Sequence, residues 1–124
     1  HPHMVGIGPF IPQKDTPFAD EKAGTLEQTL LLLSLIRLLL PKVLLPATTA
    51  LGTIHPGGRE LGFLAGANVC MPNLSPAGVR KHYAIYDNKL SDGAEAVESL
   101  GTLQKRLQTV GCEMSLSRGD YVDF

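Results

Sequence analysis

LLLLSLIRLLLPKVLLPATTALGTIHPGGRELGFLAGANVC, residues 30–70, alternates apolar runs with turn signals. In order it reads as a helix stopped at Pro41, a short strand VLLP at 43–46, a helix opened by HPGGRE, and a strand NVCM at 68–71. Apolar runs of four residues bounded by proline suit strands, and longer periodic runs suit helices. Connections long enough to hold a helix imply parallel strands joined by right-handed crossovers. Thr48 and Thr49 follow the first of these strands, and Cys70 and Met71 close the second. Parallel strands put those ends on one side of the sheet.

On the amino-terminal side, MVGIGPF at 4–10 reads as a buried strand ended by Pro9 and Pro12, which cannot donate to a ladder. Gly6 and Gly8 suggest close approach of a ligand or a neighbouring element. The polar stretch 13–24 is a loop long enough to cover a site. Thr25 and Gln28 form a capping-box pattern, so a helix is expected over 26–40, with a broad buried face. Proline at 41 sets its end.

Residues 51–55 read as a loop, with the next helix running from Pro56 to Ala65 and stopped by Gly66. The backbone N–H groups of Gly57 and Gly58 offer a place for a carboxylate or phosphate, a weak signal from two glycines alone. Thr48 and Thr49 are either β-branched strand residues or hydroxyl donors to a ligand. Cys70 reads as a small core residue. Further on, a short helix is expected over 79–86, with Tyr83 and Tyr86 on one face, either packing or facing a ligand. A second helix is expected over 92–110, apolar at Ala96, Leu100, Leu103 and Leu107 and ended by Gly111, and a last strand near 114–116.

The chain has 124 residues, enough for one domain with a modest core. Eleven Lys and Arg stand against twelve Asp and Glu, so there is no basic footprint for nucleic acid. Two unclustered cysteines make neither a disulfide framework nor a zinc motif, which favours a cytoplasmic or other reducing compartment. The leucine run is broken by Ser34 and Arg37 and falls short of the ~20 apolar residues of a membrane span. His1 and His3 are either a metal-binding pair or a solvated tail. The absence of a secretory pattern and a start inside a strand lead us to expect a piece of a longer protein.

Three strands and their helices fit part of a (β/α)8 barrel or of a doubly wound sheet. In a barrel, chemistry sits where the strands end. MVGIGPFIPQKDTPFAD, LLPATTALGTIHPGGRE and GANVCMPNLSP resemble, in order and spacing, the C-terminal half of the radical SAM maturases of [FeFe]-hydrogenases. More widely they resemble the biotin synthase group with its biotin/thiamin-synthesis-associated region. The resemblance implies an α/β fold, the C-terminal part of a radical SAM TIM-type barrel. Residues 1–88 would give its last strands and helices, and 89–124 a helical extension. It implies S-adenosylmethionine and a [4Fe-4S] cluster in the full-length parent, with a deoxyadenosyl radical acting on a small-molecule substrate, and other hydrogenase maturation proteins as partners. Position by position, Met4 and Ile11 would lie near the adenosyl group. Thr48 and Thr49 would hold the substrate's polar end, Met71 would line the pocket, and Tyr83 and Tyr86 would close it.

Two departures matter. The cluster loop C-x-x-x-C-x-x-C is not in this sequence, so the chain alone is expected to hold no cluster. Ser91, Ser99 and Thr102 stand where some family members have cysteines for a second cluster, and are poor iron ligands beside thiolate. Biotin synthase proper has an arginine ligand before the ATT position, and VLLPATT has none. Two other readings stay open: a free-standing ligand- or partner-binding module, and an unrelated barrel enzyme holding phosphate at HPGG.

Overall fold

The computed structural model describes residues 1–72, Pro76, Val79 and 96–121. It is an α/β structure with the elements α1 (Leu26–Leu39), β1 (Pro46–Ala47), α2 (Thr49–Ile54), α3 (Gly58–Leu64), β2 (Val69–Cys70) and α4 (Ala96–Gln108). Beyond Val79, the helix expected over 79–86 and both of its tyrosines lie outside the described residues.

The capping threonine works as read: Thr25 Oγ1 accepts from Gln28 N at 3.2 Å and starts α1. Its end is set by Pro41, with Leu40 N donating back to Ile36 O at 2.8 Å. One side of α1 enters the core, where Leu33 joins Val43, Leu45 and Leu51. Leu26, Leu30, Ile36 and Leu40 pack around that cluster. The buried face is narrower than expected: Leu38 and Leu39 are 79% and 78% exposed. Leucine composition reports that a helix is apolar, not how many neighbours cover it.

β1 and β2 pair in parallel, Pro46 with Val69 and Ala47 with Cys70. On the other side of β1, Met4 forms a parallel bridge with Leu44. Leu44 bonds His3 O and Val5 N, while Leu45 bonds Asn68 and Val69. Successive strand residues turn their backbone groups to opposite sides. The first segment therefore lies on one side of β1 at Met4 and β2 on the other, all parallel as expected, but it makes one isolated bridge rather than the expected buried strand, and Met4, Gly6, Gly8 and Phe10 are exposed. The ladders are shorter than the apolar runs. Asn68 N and Val69 N both donate to Leu45 O, and Asn68 Oδ1 takes Leu45 N at 2.8 Å, so a side chain replaces a ladder partner.

Two expectations fail. Residues 51–55 are not a loop: α2 occupies 49–54, because Leu51 and Ile54, three apart, pack on the core and override the poor propensity of threonine and glycine. Residues 114–116 form no strand, since none of them pairs with a described strand, and Leu116 is 83% exposed. The expected helix at 56–65 begins later, at Gly58, after Gly58 N closes a turn on His55 O at 2.9 Å.

Helix α3 lies against α2 and β1 at two glycines. A Cβ at Gly58 would fall 2.0 Å from Leu51 O, and one at Gly62 would fall 3.1 Å from the Ala47 Cβ. α3 is tied to α1 by Ser34 Oγ donating to Ala65 O at 3.1 Å and Arg37 Nε donating to Gly66 O at 2.8 Å. Gly66 ends α3 at φ 110°, as expected of a terminator. In α4, Leu103 and Leu107 are buried as expected, and Arg106 ion-pairs with Glu60 of α3.

Gly62 and Gly101 separate packing from propensity. Gly101 has open space where a Cβ would go and sits on an exposed helix position. Gly62→Ala is expected to destabilise by about 1–3 kcal/mol through overpacking. Gly101→Ala is expected to stabilise by about 0.5–1 kcal/mol through helix propensity. Urea unfolding midpoints of the two variants check both signs.

Candidate functional site

The parallel register builds the site. One residue beyond the Ala47–Cys70 pair, Thr48 comes level with Met71. Counting on from the Met4–Leu44 bridge brings Gly8 level with Thr48. The contact agrees: a Cβ at Gly8 would lie 2.7 Å from Thr48 Oγ1. Glycine at 8 thus lets the first segment close on the threonine. Thr48 is the N-cap of α2 but makes no side-chain cap bond, and its Oγ1 is buried with no hydrogen-bond partner among the described residues. A hydroxyl that ordinarily serves the helix instead lies against Gly8 of the first segment.

Thr49 opens α2 and accepts at Oγ1 from Arg59 Nη2 at 3.1 Å. Arg59 is the second residue of α3, carried over Thr49 by the close packing at Gly58. Its charge also reaches Cys70: burial pushes that thiol up, and the guanidinium offsets the rise only in part. Cys70 is therefore a neutral, half-buried thiol at neutral pH, in keeping with a core role. Glu60 turns the other way. Burial pushes its carboxyl up, but the Arg106 hydrogen bond and the charges of Arg106 and Arg59 outweigh this and leave it below the usual range. Arg106 Nη2 donates to Glu60 Oε2 at 2.9 Å.

Thr48 and Met71 fall at one level, with Met71 54% exposed, and Thr49 follows one residue on as the first residue of α2. Met4 is not at that level. It lies four residues back along the first segment, about 13 Å at the rise of a strand. There it lines a cleft of about 490 Å³ together with Cys70, Cys112 and Met114. Ile11 is half-buried three residues beyond Gly8, where the 13–24 loop returns through Gly24 N donating to Phe10 O at 2.8 Å. Phe18 of that loop meets Phe10 edge-on, with ring centroids 6.5 Å apart. Tyr83 and Tyr86 lie outside the described residues.

The glycine pair at 57–58 does not offer open donors. Gly57 N donates to His55 Nδ1 at 3.1 Å and Gly58 N to His55 O, so the phosphate reading of HPGG loses its anion cradle. The residue that sequence reading passed over is Arg59. The signal was present: between Val43 and Pro72 the charged residues are Arg59 and Glu60. Among the described residues no group of three or more His, Cys, Asp or Glu is placed to hold a metal, and no helix is long and apolar enough to cross a membrane.

Comparison with known proteins places the chain in the radical SAM group. Within it, the chain belongs to the family of HydE, the [FeFe] hydrogenase maturase subunit. It is 46% identical over 108 residues to the HydE of Thermotoga maritima, covering 87% of this chain and 31% of that protein. It is also 32% identical over 110 residues to the 3-methylornithine synthase of Methanosarcina barkeri, covering 89% of this chain and 30% of that relative. With the 3-methylornithine synthase of Methanosarcina acetivorans the identity is 31% over 112 residues, or 90% and 31%. The chain spans less than a third of the length of these relatives. No family model matches it.

The Glu60–Arg106 pair gives a pH test. A carboxyl held below its unfolded value of about 4.3 stabilises the fold above that value, and the contribution is lost as pH falls through the folded value. Glu60→Gln is expected to lower stability by about 1 kcal/mol at pH 7. At pH 3 the gap between variant and wild type narrows. Urea unfolding at the two pH values checks this, and a gap independent of pH would assign the effect to packing.

Proposed function

We propose that this chain is the C-terminal part of a HydE-type radical SAM enzyme and forms the substrate end of its barrel. Residues 1–88 contribute three adjacent parallel strands with their helices, and 89–124 a helical extension. The reading rests on one observation above the others: the buried Thr48 hydroxyl, unpartnered among the described residues and just beyond the end of β1. Burying a hydroxyl without a partner costs about 1–3 kcal/mol, a cost that a ligand's hydrogen bond would remove. The family match supports the same reading.

In the full-length protein, S-adenosylmethionine and a [4Fe-4S] cluster would supply the radical chemistry. The donor set of this chain does not fit that cluster. It has two cysteines, and Cys70 is a half-buried thiol raised by burial rather than a ready thiolate. The cluster therefore belongs to the part of the protein outside these 124 residues. What this chain contributes is orientation and dryness. Thr48 and Thr49 hold the polar end of a small-molecule substrate and Met71 lines its path. Met4 and Ile11 flank the adenosyl group from opposite ends of the first segment, and Tyr83 and Tyr86 close the mouth. Other hydrogenase maturation proteins are the expected partners, in a reducing compartment.

Thr48→Val in the full-length enzyme keeps the shape and removes the hydroxyl. A hydrogen bond to a charged ligand group contributes about 1.5–3 kcal/mol, so hydrogenase activation in a maturation reaction should need roughly ten- to a hundredfold more enzyme. Cleavage of S-adenosylmethionine in the absence of substrate should change much less. Equal loss in both, with a lowered melting temperature, would make Thr48 a packing residue and end the substrate reading.

A further inference from the structure

Helix α1 is covered on one flank and bare on the other. Ser34 and Arg37 meet α3, donating to Ala65 O and Gly66 O. Residues two apart on a helix point about 200° apart. Leu32, two before Ser34, and Leu39, two after Arg37, therefore face away from α3. With Leu35 they take the i, i+3, i+7 spacing of a helix-packing ridge, and they are 50%, 45% and 78% exposed in chain order. Single exposed leucines are ordinary, whereas a contiguous row of them marks an interaction surface. The sheet is open on the same side. Val5 N donates to Leu44 O and His3 O accepts from Leu44 N, so Met4 and Gly6 turn their backbone N–H and C=O groups the other way. Among the described residues nothing bonds them. Right-handed crossovers carry the chain from the first segment through α1 to β1, and from β1 through α3 to β2, always in one direction. Against that direction lie the open edge of the first segment and, over it, the leucine ridge of α1.

We propose that this edge and this ridge are one docking surface, filled by a strand and an amphipathic helix of the same protein from outside these 124 residues. The strand bonds Met4 and Gly6 in parallel, and the helix lays its apolar face over Leu32, Leu35 and Leu39. One strand–helix unit meets both because the edge and the ridge share a side. The curated relatives are long enough to hold it, since this chain spans less than a third of each. The inference rests on the reading of the chain as part of a larger enzyme and adds the surface by which the two parts join.

The test uses the full-length protein and two readouts. In wild type, hydrogen exchange at the amides of Met4 and Gly6 should be slowed as much as at Val5, whose amide bonds Leu44. Exchange at the rate of an open chain overturns the strand contact and needs no variant. Leu32→Cys and Leu39→Cys are then labelled with N-ethylmaleimide beside Leu31→Cys, each rate being divided by its rate in urea. Leu31, two before the buried Leu33, points away from the core and is the open reference. The ridge positions should react roughly tenfold or more slowly than the reference, since a packed site is reached only through local opening, and at a rate independent of protein concentration. Equal rates at all three positions overturn the docking. Slow labelling that appears only as concentration rises makes a second copy the occupant and overturns it as well. The Thr48→Val measurement decides the substrate reading by itself, so the two readings fail separately.

Discussion

The seating of α3 on α2 and β1 is the constraint on which the rest depends. Gly58 lies against the Leu51 carbonyl at a separation no side chain allows, and Gly62 lies against Leu51 and Ala47 so closely that a Cβ would push its neighbours aside. That approach closes the layer of helices over Leu33, Leu45 and Leu51, the buried centre of the core. It also sets the reach of the two charged residues at the start of α3. Adjacent helix positions point about 100° apart. Glu60 is therefore turned to Arg106 of α4, and Arg59 to Thr49 of α2. The packing that holds the fold and the geometry that orders the strand ends are one arrangement.

The order of elements was legible because each boundary had a local cause. Thr25 caps, Pro41 stops, Gly66 and Gly111 terminate at positive φ, and the structure keeps all four. The parallel sense of the strands was legible from connection length. Helix α2 was not. TTALGTI has weak helical propensity, and the apolar pair Leu51 and Ile54 becomes meaningful only when a core is there to receive it. The shortness of the ladders was equally hidden, since it comes from the Asn68 side chain taking a bond that a backbone would otherwise make. For α1, the sequence shows leucine on nearly every side. Leu31, Leu32, Leu35, Leu38 and Leu39 are each 45% or more exposed in the described structure. Periodicity cannot say which neighbours a helix meets.

At the site, composition showed which residue types were available and register showed which of them meet. Thr48 and Met71 fall level because β1 and β2 pair without a slip, and Gly8 joins them because the first segment pairs with Leu44. Met4 could not be placed by composition. It is as suitable a pocket residue as Met71, yet the same register sets it four residues deeper, in the cleft with Cys70 and Cys112. The glycines at 57–58 were legible as special but not as to purpose. They serve a turn on His55 and the approach to Leu51, so their donors are spent inside the fold.

Arg59 illustrates why a charge in an apolar stretch repays attention. A guanidinium carried on a helix start above the ends of parallel strands costs desolvation, and a fold tolerates it where hydrogen bonds offset that cost. Here one bond goes from Nη2 to the Thr49 hydroxyl of α2. The neighbouring carboxylate, Glu60, feels the Arg59 charge and bonds Arg106 of α4. The start of α3 is therefore held from two sides, by Thr49 of α2 through Arg59 and by α4 through Glu60, and the same close seating at Gly58 makes both contacts possible.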